Sequence, residues 1–350
     1  MNIVYFVSNL NFGGAEKQTV LDANLMANEH QVHFVSFSIG PLSDIISDKV
    51  HFKELARGSY LKNALELSRY CREHGIDIIH TALFAAFIIS SLSTLFSKAK
   101  VIWHFHSHEY DMPLKSRIVI KLCARIPGVK VLAFVNKELI EHFQSFNFPK
   151  EKIMLLYNHS TIGKLDYIPR NHEKVRVGYL GRVIGLKRVH YLVDLANALL
   201  ASDTRSFEIH VVGDGDQFNK LKALITRNNL GDFFILHGFQ TNVNCFYKTF
   251  DLFVNPSEEE CLSIAMIDAG MHGLPIAAFD VGGNNEIIKH QETGFVVQTI
   301  EEFIESCSEL VVNENLRLEM GKKSQEHCYQ HFSEPVHQAE LLNLYKEVLR

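Results

Sequence analysis

The chain has 350 residues, 47% of them hydrophobic and 21% charged, with a net charge of -5; that is apolar mass for two cores and gives no global electrostatic reason to bind nucleic acid. Six scattered cysteines without a C-x-x-C pair argue against a disulfide framework, and no apolar run approaches the ~20 residues of a membrane span. The N-terminus M-N-I-V-Y-F-V-S-N-L carries no basic stretch ahead of a long apolar one, so no signal peptide is read and a cytoplasmic location is expected.

Short runs rich in β-branched and aromatic residues recur between helical patterns. The first, N-I-V-Y-F-V from Asn2, leads into G-G-A-E. Adjacent Gly13 and Gly14 at a strand-to-helix turn let backbone N–H groups approach an anion or a sugar, or else serve a tight turn needing positive φ. The pattern is not G-x-G-x-x-G, so a dinucleotide fingerprint is absent. Strand patterns follow from Val32, Asp77 and Val101. H-F-H-S-H then sets His104, His106 and His108 on one face of an extended chain, a pattern that suggests zinc. From Met112 to Lys137 there are six basic residues and no acid, with Ile118, Leu122 and Ile126 interleaved. That segment reads as a membrane-surface helix or as a solvated helix face over core. Two more strands, from Val129 and Ile153, complete the first half.

The polar stretch from Asn158 to Lys174, with Pro169, reads as a linker. In the second half strands start at Val175, Phe207, Phe233, Asp251, Pro275 and Gly294. Between the first two, Val189, Leu192, Val193, Ala196, Leu199 and Leu200 form one helical stripe. Arg182, Lys187 and Arg188 precede that helix, where the dipole is already positive; a bound phosphate would neutralise them, and the alternative is a solvated basic loop. The strand from Asp251 ends in N-P-S-E-E-E, so three glutamates occupy a loop at a strand's carboxyl end. Ser263 is an N-cap candidate that would leave N–H groups free on Ile264 and Ala265, and Asp268 falls on the second turn. Two helical patterns close the chain, from about Glu314 to Phe332 and from Pro335 to Leu349. Strand–helix alternation repeated twice predicts two doubly wound α/β domains, whose ligands bind beyond the carboxyl ends of the strands. The expected bounds are 1–164 and 175–332, with a terminal helix at 333–350 that packs back on the first domain.

Together these residues resemble the retaining, GT-B-fold glycosyltransferases of the family 4 type. The family pattern is proline-serine, a glutamate, seven residues, and a second glutamate followed by alanine. Glu260 alone has a carboxylate at that spacing, Asp268, since Glu258 and Glu259 would pair with Met266 and Ile267. The other two glutamates are expected to be solvated neighbours. Cys261, Ser263 and Ala265 replace the usual glycine, glycine and proline. Further matches run in order along the chain: G-G-A-E at Gly13, H-F-H-S around His106, Y-N at Tyr157, G-R-V-I-G-L-K from Gly181, G-D-G at Gly213, H-G-F ending at Phe239, and V-G-G-N-N-E at Val281.

The resemblance implies two Rossmann-like domains facing a central cleft: the first takes the acceptor, the second the nucleotide sugar. It implies transfer of a hexose-type sugar from a nucleotide diphosphate donor, UDP- or GDP-linked, to a glycan acceptor that is lipid-linked in polysaccharide biosynthesis, with the protein peripheral on the inner face of the cell membrane. His106, Arg182, Lys187 and Glu260 take the catalytic positions. Gly13, Gly14, Gly181, Gly213, Phe239, Ser263, Ile264 and Asp268 join Arg182, Lys187 and Glu260 around the donor. Only one of the three histidines falls on a family position, and no metal or other cofactor is expected. Asp268 departs from the family glutamate by one methylene, roughly 1.5 Å of reach. That departure keeps open a non-catalytic partner subunit that binds nucleotide sugar without turnover. A sugar-nucleotide epimerase of the same fold is the other alternative; the missing G-x-G-x-x-G disfavours a nicotinamide enzyme.

Overall fold

The computed structural model describes residues 1–11, 13–106, 113–170 and 172–350, with the Leu114 side chain also outside the description. His108 and Met112 of the segments discussed above lie outside the described residues. The chain forms two compact units, one from Met1–His159 with Pro335–Arg350, the other from Ser160–Glu334.

Among the described residues, seven parallel strands make the N-terminal sheet: β1 (Asn2–Phe6), β2 (Gln31–Ser36), β3 (His51–Glu54), β4 (Ile78–Thr81), β5 (Lys100–Phe105), β6 (Val129–Phe134) and β7 (Ile153–Leu155). Their order is β3-β2-β1-β4-β5-β6-β7. The C-terminal sheet holds β8 (Val175–Leu180), β9 (Phe207–Val212), β10 (Phe234–Gly238), β11 (Leu252–Asn255), β12 (Ile276–Phe279) and β13 (Gly294–Val297), ordered β10-β9-β8-β11-β12-β13. Each order reverses direction beside its first strand, between β1 and β4 and between β8 and β11. That reversal is the switch point at which doubly wound sheets bind ligands. Two doubly wound parallel sheets are what the alternating strand–helix pattern predicts.

The inner strands are largely apolar because helices cover both sheet faces: Ile3, Tyr5, Phe34, Ile78 and Ile102 are fully buried, as are Val177, Ile209 and Val254. β3 went unread in the sequence for the same physical reason in reverse. His51–Glu54 is an exposed edge strand, H-F-K-E, whose charges discourage further pairing. The last helix, Glu334–Leu349, belongs to the N-terminal unit, where its Leu341, Leu344 and Tyr345 are fully buried in one core with Ile3, Tyr5 and Phe34.

A polar relay runs through that core. His104 Nε2 lies 3.1 Å from the Leu156 carbonyl, which can only accept, so His104 carries its proton on Nε2. His104 Nδ1 therefore accepts from His80 Nε2 at 3.3 Å, and His80 Nδ1 accepts from the Tyr345 hydroxyl at 2.7 Å. Tyr345 in turn accepts from Tyr5 at 2.7 Å. Burial keeps both rings neutral, pushing His80 down to about 3 and His104 to about 4.

Candidate donor site

The C-terminal unit gathers its candidates at the carboxyl ends of β8 and β11. After β8 the chain makes a short helical turn, Gly185–Lys187, and Arg188 adopts a left-handed φ of 45° before the helix Tyr191–Ala201. Lys187 Nζ donates to Glu260 Oε1 at 2.6 Å and to the Glu259 carbonyl at 3.3 Å. The pair is mostly buried, with the two side chains 17% and 15% exposed. Asn255, at the end of β11, donates to the same Glu260 oxygen at 3.1 Å. Ser257 Oγ lies 3.0 Å from it and 2.5 Å from Asn255 Oδ1, and its single proton serves one of the two.

This arrangement corrects the sequence expectation in two respects. Two of the cations after β8, Lys187 and Arg188, have protein anions, supplied by the glutamate loop. Nor is Glu258 merely solvated, since it forms a 2.5 Å ion pair with Arg188. Glu259 is exposed, and among the described residues only its carbonyl has a partner, Lys187. An ammonium has three donors, so Lys187 keeps one for a further acceptor while Glu260 and Glu259 hold it in place. Arg182 is exposed and, among the described residues, has no side-chain partner.

The glutamate loop is clamped on both sides. Glu258 N donates to the Leu186 carbonyl at 2.8 Å, and Gly283 N donates to the Cys261 carbonyl at 2.7 Å. Gly282 has a φ of +56°, and a Cβ there would run into the Glu260 carbonyl oxygen. A similar close approach explains Gly213, with a φ of +138°, whose Cβ would strike the Gly181 carbonyl oxygen. Phe239, on the loop after β10, is 57% exposed.

The helix Ile264–Met271 follows the loop. Ser263 is its N-cap by position, yet its side chain makes no capping bond; its carbonyl accepts from Met266 and Ile267. The amides of Ile264 and Ala265 lack intrahelical partners by geometry, and no serine oxygen occupies them. Asp268 is 7% exposed, and its Oδ1 accepts from Ser160 Oγ at 2.5 Å. Sequence reasoning missed Ser160, as it missed Asn255 and Ser257.

In the N-terminal unit, His106 follows β5. Its Nδ1 faces Asn158 Oδ1 at 3.0 Å, so the proton sits on Nδ1 and Nε2 is presented as an acceptor; that nitrogen is buried and has no partner among the described residues. Burial first, then the neighbouring His104, holds the ring well below the usual histidine range. Gly13 is extended, with a φ of -151°, and Gly14 begins the helix Gly14–Met26. Neither needs positive φ, which removes the tight-turn explanation. A Cβ on Gly14 would meet nothing within 4 Å, so its glycine leaves open room beside the first helical amides.

Comparison with known proteins follows the same division. The model described as Glycosyltransferase Family 4 matches residues 12–159, and that described as Glycosyl transferases group 1 matches residues 174–313. An uncharacterized glycosyltransferase of Haemophilus influenzae is 23% identical over 92% of this chain and 94% of its own. The capsular polysaccharide biosynthesis glycosyltransferase CapH of Staphylococcus aureus is 25% identical over 86% and 87%. The crystal structure of Anabaena HepE in complex with UDP and glucose superposes with a TM-score of 0.85 at 16% identity, covering 99% of this chain and 100% of that one. With both halves matched and the GT-B fold in place, the chain belongs to the family 4-type GT-B glycosyltransferases.

Proposed function

We propose that this glycosyltransferase moves a hexose-type sugar, with retention, from a nucleotide diphosphate donor to a glycan acceptor in polysaccharide biosynthesis. One observation carries the reading: Lys187, held by Glu260, stands in the same unit as Arg182, which has no side-chain partner among the described residues, and as the amides of Ile264 and Ala265, which the Ser263 side chain does not cap. Fixed cations and amides of this kind stabilise charge as it develops on a departing diphosphate, commonly the largest catalytic term. The bond from the anomeric carbon to the diphosphate breaks, the acceptor oxygen bonds to the same face, and the acceptor proton passes to the leaving phosphate oxygen. No metal is needed for that charge. Glu260 orients the donor sugar, Phe239 offers a face to the base, and His106 contacts sugar or acceptor. HepE, crystallised with UDP and glucose, favours a UDP-linked donor, and CapH, named for capsular polysaccharide biosynthesis, favours a surface glycan as the product.

Membrane approach, from the cytoplasmic side, is the second part of the proposal. Among the described residues no helix is long and apolar enough to cross a membrane. On the helix Leu114–Ala124, however, Ile118, Val119 and Leu122 are 50%, 40% and 64% exposed beside Lys115 and Lys121. An apolar face flanked by basic side chains suits an anionic lipid surface and hence a lipid-linked acceptor.

The deciding experiment incubates the protein with UDP and GDP sugars and a lipid-linked acceptor, and reads the anomeric configuration of the product by NMR. Turnover with an α-linked product from an α-linked donor supports the reading; an inverted product removes retention. A second reading, a partner subunit that binds nucleotide sugar without turnover, draws on Asp268, whose carboxylate already serves Ser160. Thermal stabilisation by UDP without any transfer would select it.

A further inference from the structure

The N-terminal unit buries a carboxylate whose ion-pair partners among the described residues are histidines. We propose that Asp22, His159 and His337 form a structural binding site for one divalent transition-metal ion of the zinc class. The three come from different parts of the unit: Asp22 from the helix Gly14–Met26, His159 from the chain beyond β7, and His337 from the last helix. Asp22 is 1% exposed, His159 0% and His337 2%. Asp22 Oδ1 lies 2.9 Å from His337 Nε2 and 3.5 Å from His159 Nδ1, and one ligand atom of each residue lies within 4.8 Å of the other two. Zinc bonds of about 2.0–2.1 Å in a tetrahedron place ligand atoms roughly 3.3 Å apart. The observed separations bracket that value. The Gln18 amide crowds the same point, 2.9 Å from Asp22 Oδ1 and 2.5 Å from His159 Nδ1. One carboxylate and two imidazoles suit a borderline ion such as zinc, whereas magnesium prefers an all-oxygen shell.

The competing counter-ion is an imidazolium at His337. That form carries its charge on two N–H groups, and His337 Nδ1 is buried with no partner among the described residues. An unpaired donor of a charged ring costs more there than the neutral N–H of a metal-bound ring. On binding, neutral His337 shifts its proton from Nε2 to Nδ1, and the metal takes the freed Nε2 beside Asp22. Asp22, His80 and His104 also lie close enough together to hold an ion. Every ring nitrogen of His80 and His104 is, however, committed in the relay from Tyr5 to the Leu156 carbonyl, so a metal there would break that chain. The ion ties the first helix, the segment beyond β7 and the terminal helix together; the diphosphate charge remains with Arg182 and Lys187 of the other unit.

The test uses the full chain. Protein stripped with a chelator is titrated with zinc and, separately, magnesium, followed by calorimetry, elemental analysis and thermal unfolding. About one zinc per chain is expected, with a midpoint raised by several degrees at saturating zinc and unmoved by magnesium. Asp22→Asn keeps the shape and an acceptor oxygen for Gln18 and His337, so it folds but loses the zinc-dependent shift and binds at least about tenfold more weakly. His337→Gln serves the same purpose should Asp22→Asn not fold. Stripped wild-type protein that takes up no zinc overturns the proposal, and so does a folded variant with the wild-type zinc affinity and shift.

Discussion

Severing the Lys187–Glu260 pair should lower stability by an amount that a double substitution restores. Lys187→Met keeps the aliphatic stem and removes the ammonium; Glu260→Gln keeps the shape and an acceptor for Asn255 and Ser257 while removing the charge. Surface pairs are worth at most ~1 kcal/mol and breaking fully buried ones costs ~3–5 kcal/mol. With its side chains 17% and 15% exposed, this pair lies between those limits, at a coupling of about 2 kcal/mol. For a unit of this size 1 kcal/mol moves the midpoint by roughly 2–4 °C, so each single variant should melt about 4–8 °C lower. The double variant should melt no lower than either, because neither partner is then left alone. Turnover reads the second role of Lys187: if it also serves the diphosphate, Lys187→Met stays inactive when assayed well below its midpoint, where it is folded. Additive losses, with a coupling under about 0.5 kcal/mol, would refute the reasoning.

Arg182→Ala combined with Lys187→Ala should reduce kcat/KM by about two orders of magnitude or more, the loss ascribed to single oxyanion donors, and circular dichroism should show the fold retained. Glu258→Gln should cost under about 1 kcal/mol, since Glu258 is 47% exposed, with turnover close to wild type in a steady-state assay. Asp268→Glu, which inserts a methylene where Ser160 is already bonded, should destabilise by about 1–3 kcal/mol, read as a lower urea midpoint. In metal-free protein, His80 and His104 titrate near 3 and 4 when folded and near 6.5 when unfolded. The unfolded state therefore binds more protons below about pH 6.5, and stability is lost as pH falls from there towards 4, by up to about 1.4 kcal/mol per pH unit per ring. A flat urea midpoint between pH 7 and 5 would contradict the buried neutral relay.

The sheets were legible because helices on both faces force β1 and β8 to be apolar at successive positions, which N-I-V-Y-F and V-R-V-G-Y-L nearly are. β3 was not, since an exposed edge strand carries no such run. Spacing along one loop and helix singled out Glu260 and Asp268, but their partners are long-range. Lys187 is 73 residues from Glu260 and Ser160 is 108 from Asp268, separations on which no periodicity bears. Gly13 and Gly14 show the converse. Their sequence permits a left-handed turn, and only the backbone reveals that neither glycine adopts one.

The return of the last helix to the first unit sets an order for synthesis. The core holding Ile3 and Tyr5 lacks Leu341, Leu344 and Tyr345 until the chain is almost finished, while Ser160–Glu334 forms a unit of its own. At ~5–20 residues per second, the N-terminal sheet waits on the order of ten to forty seconds for its closing helix. During that interval the surface later covered by Tyr345 is open to chaperones, and the second domain made is the first able to finish folding.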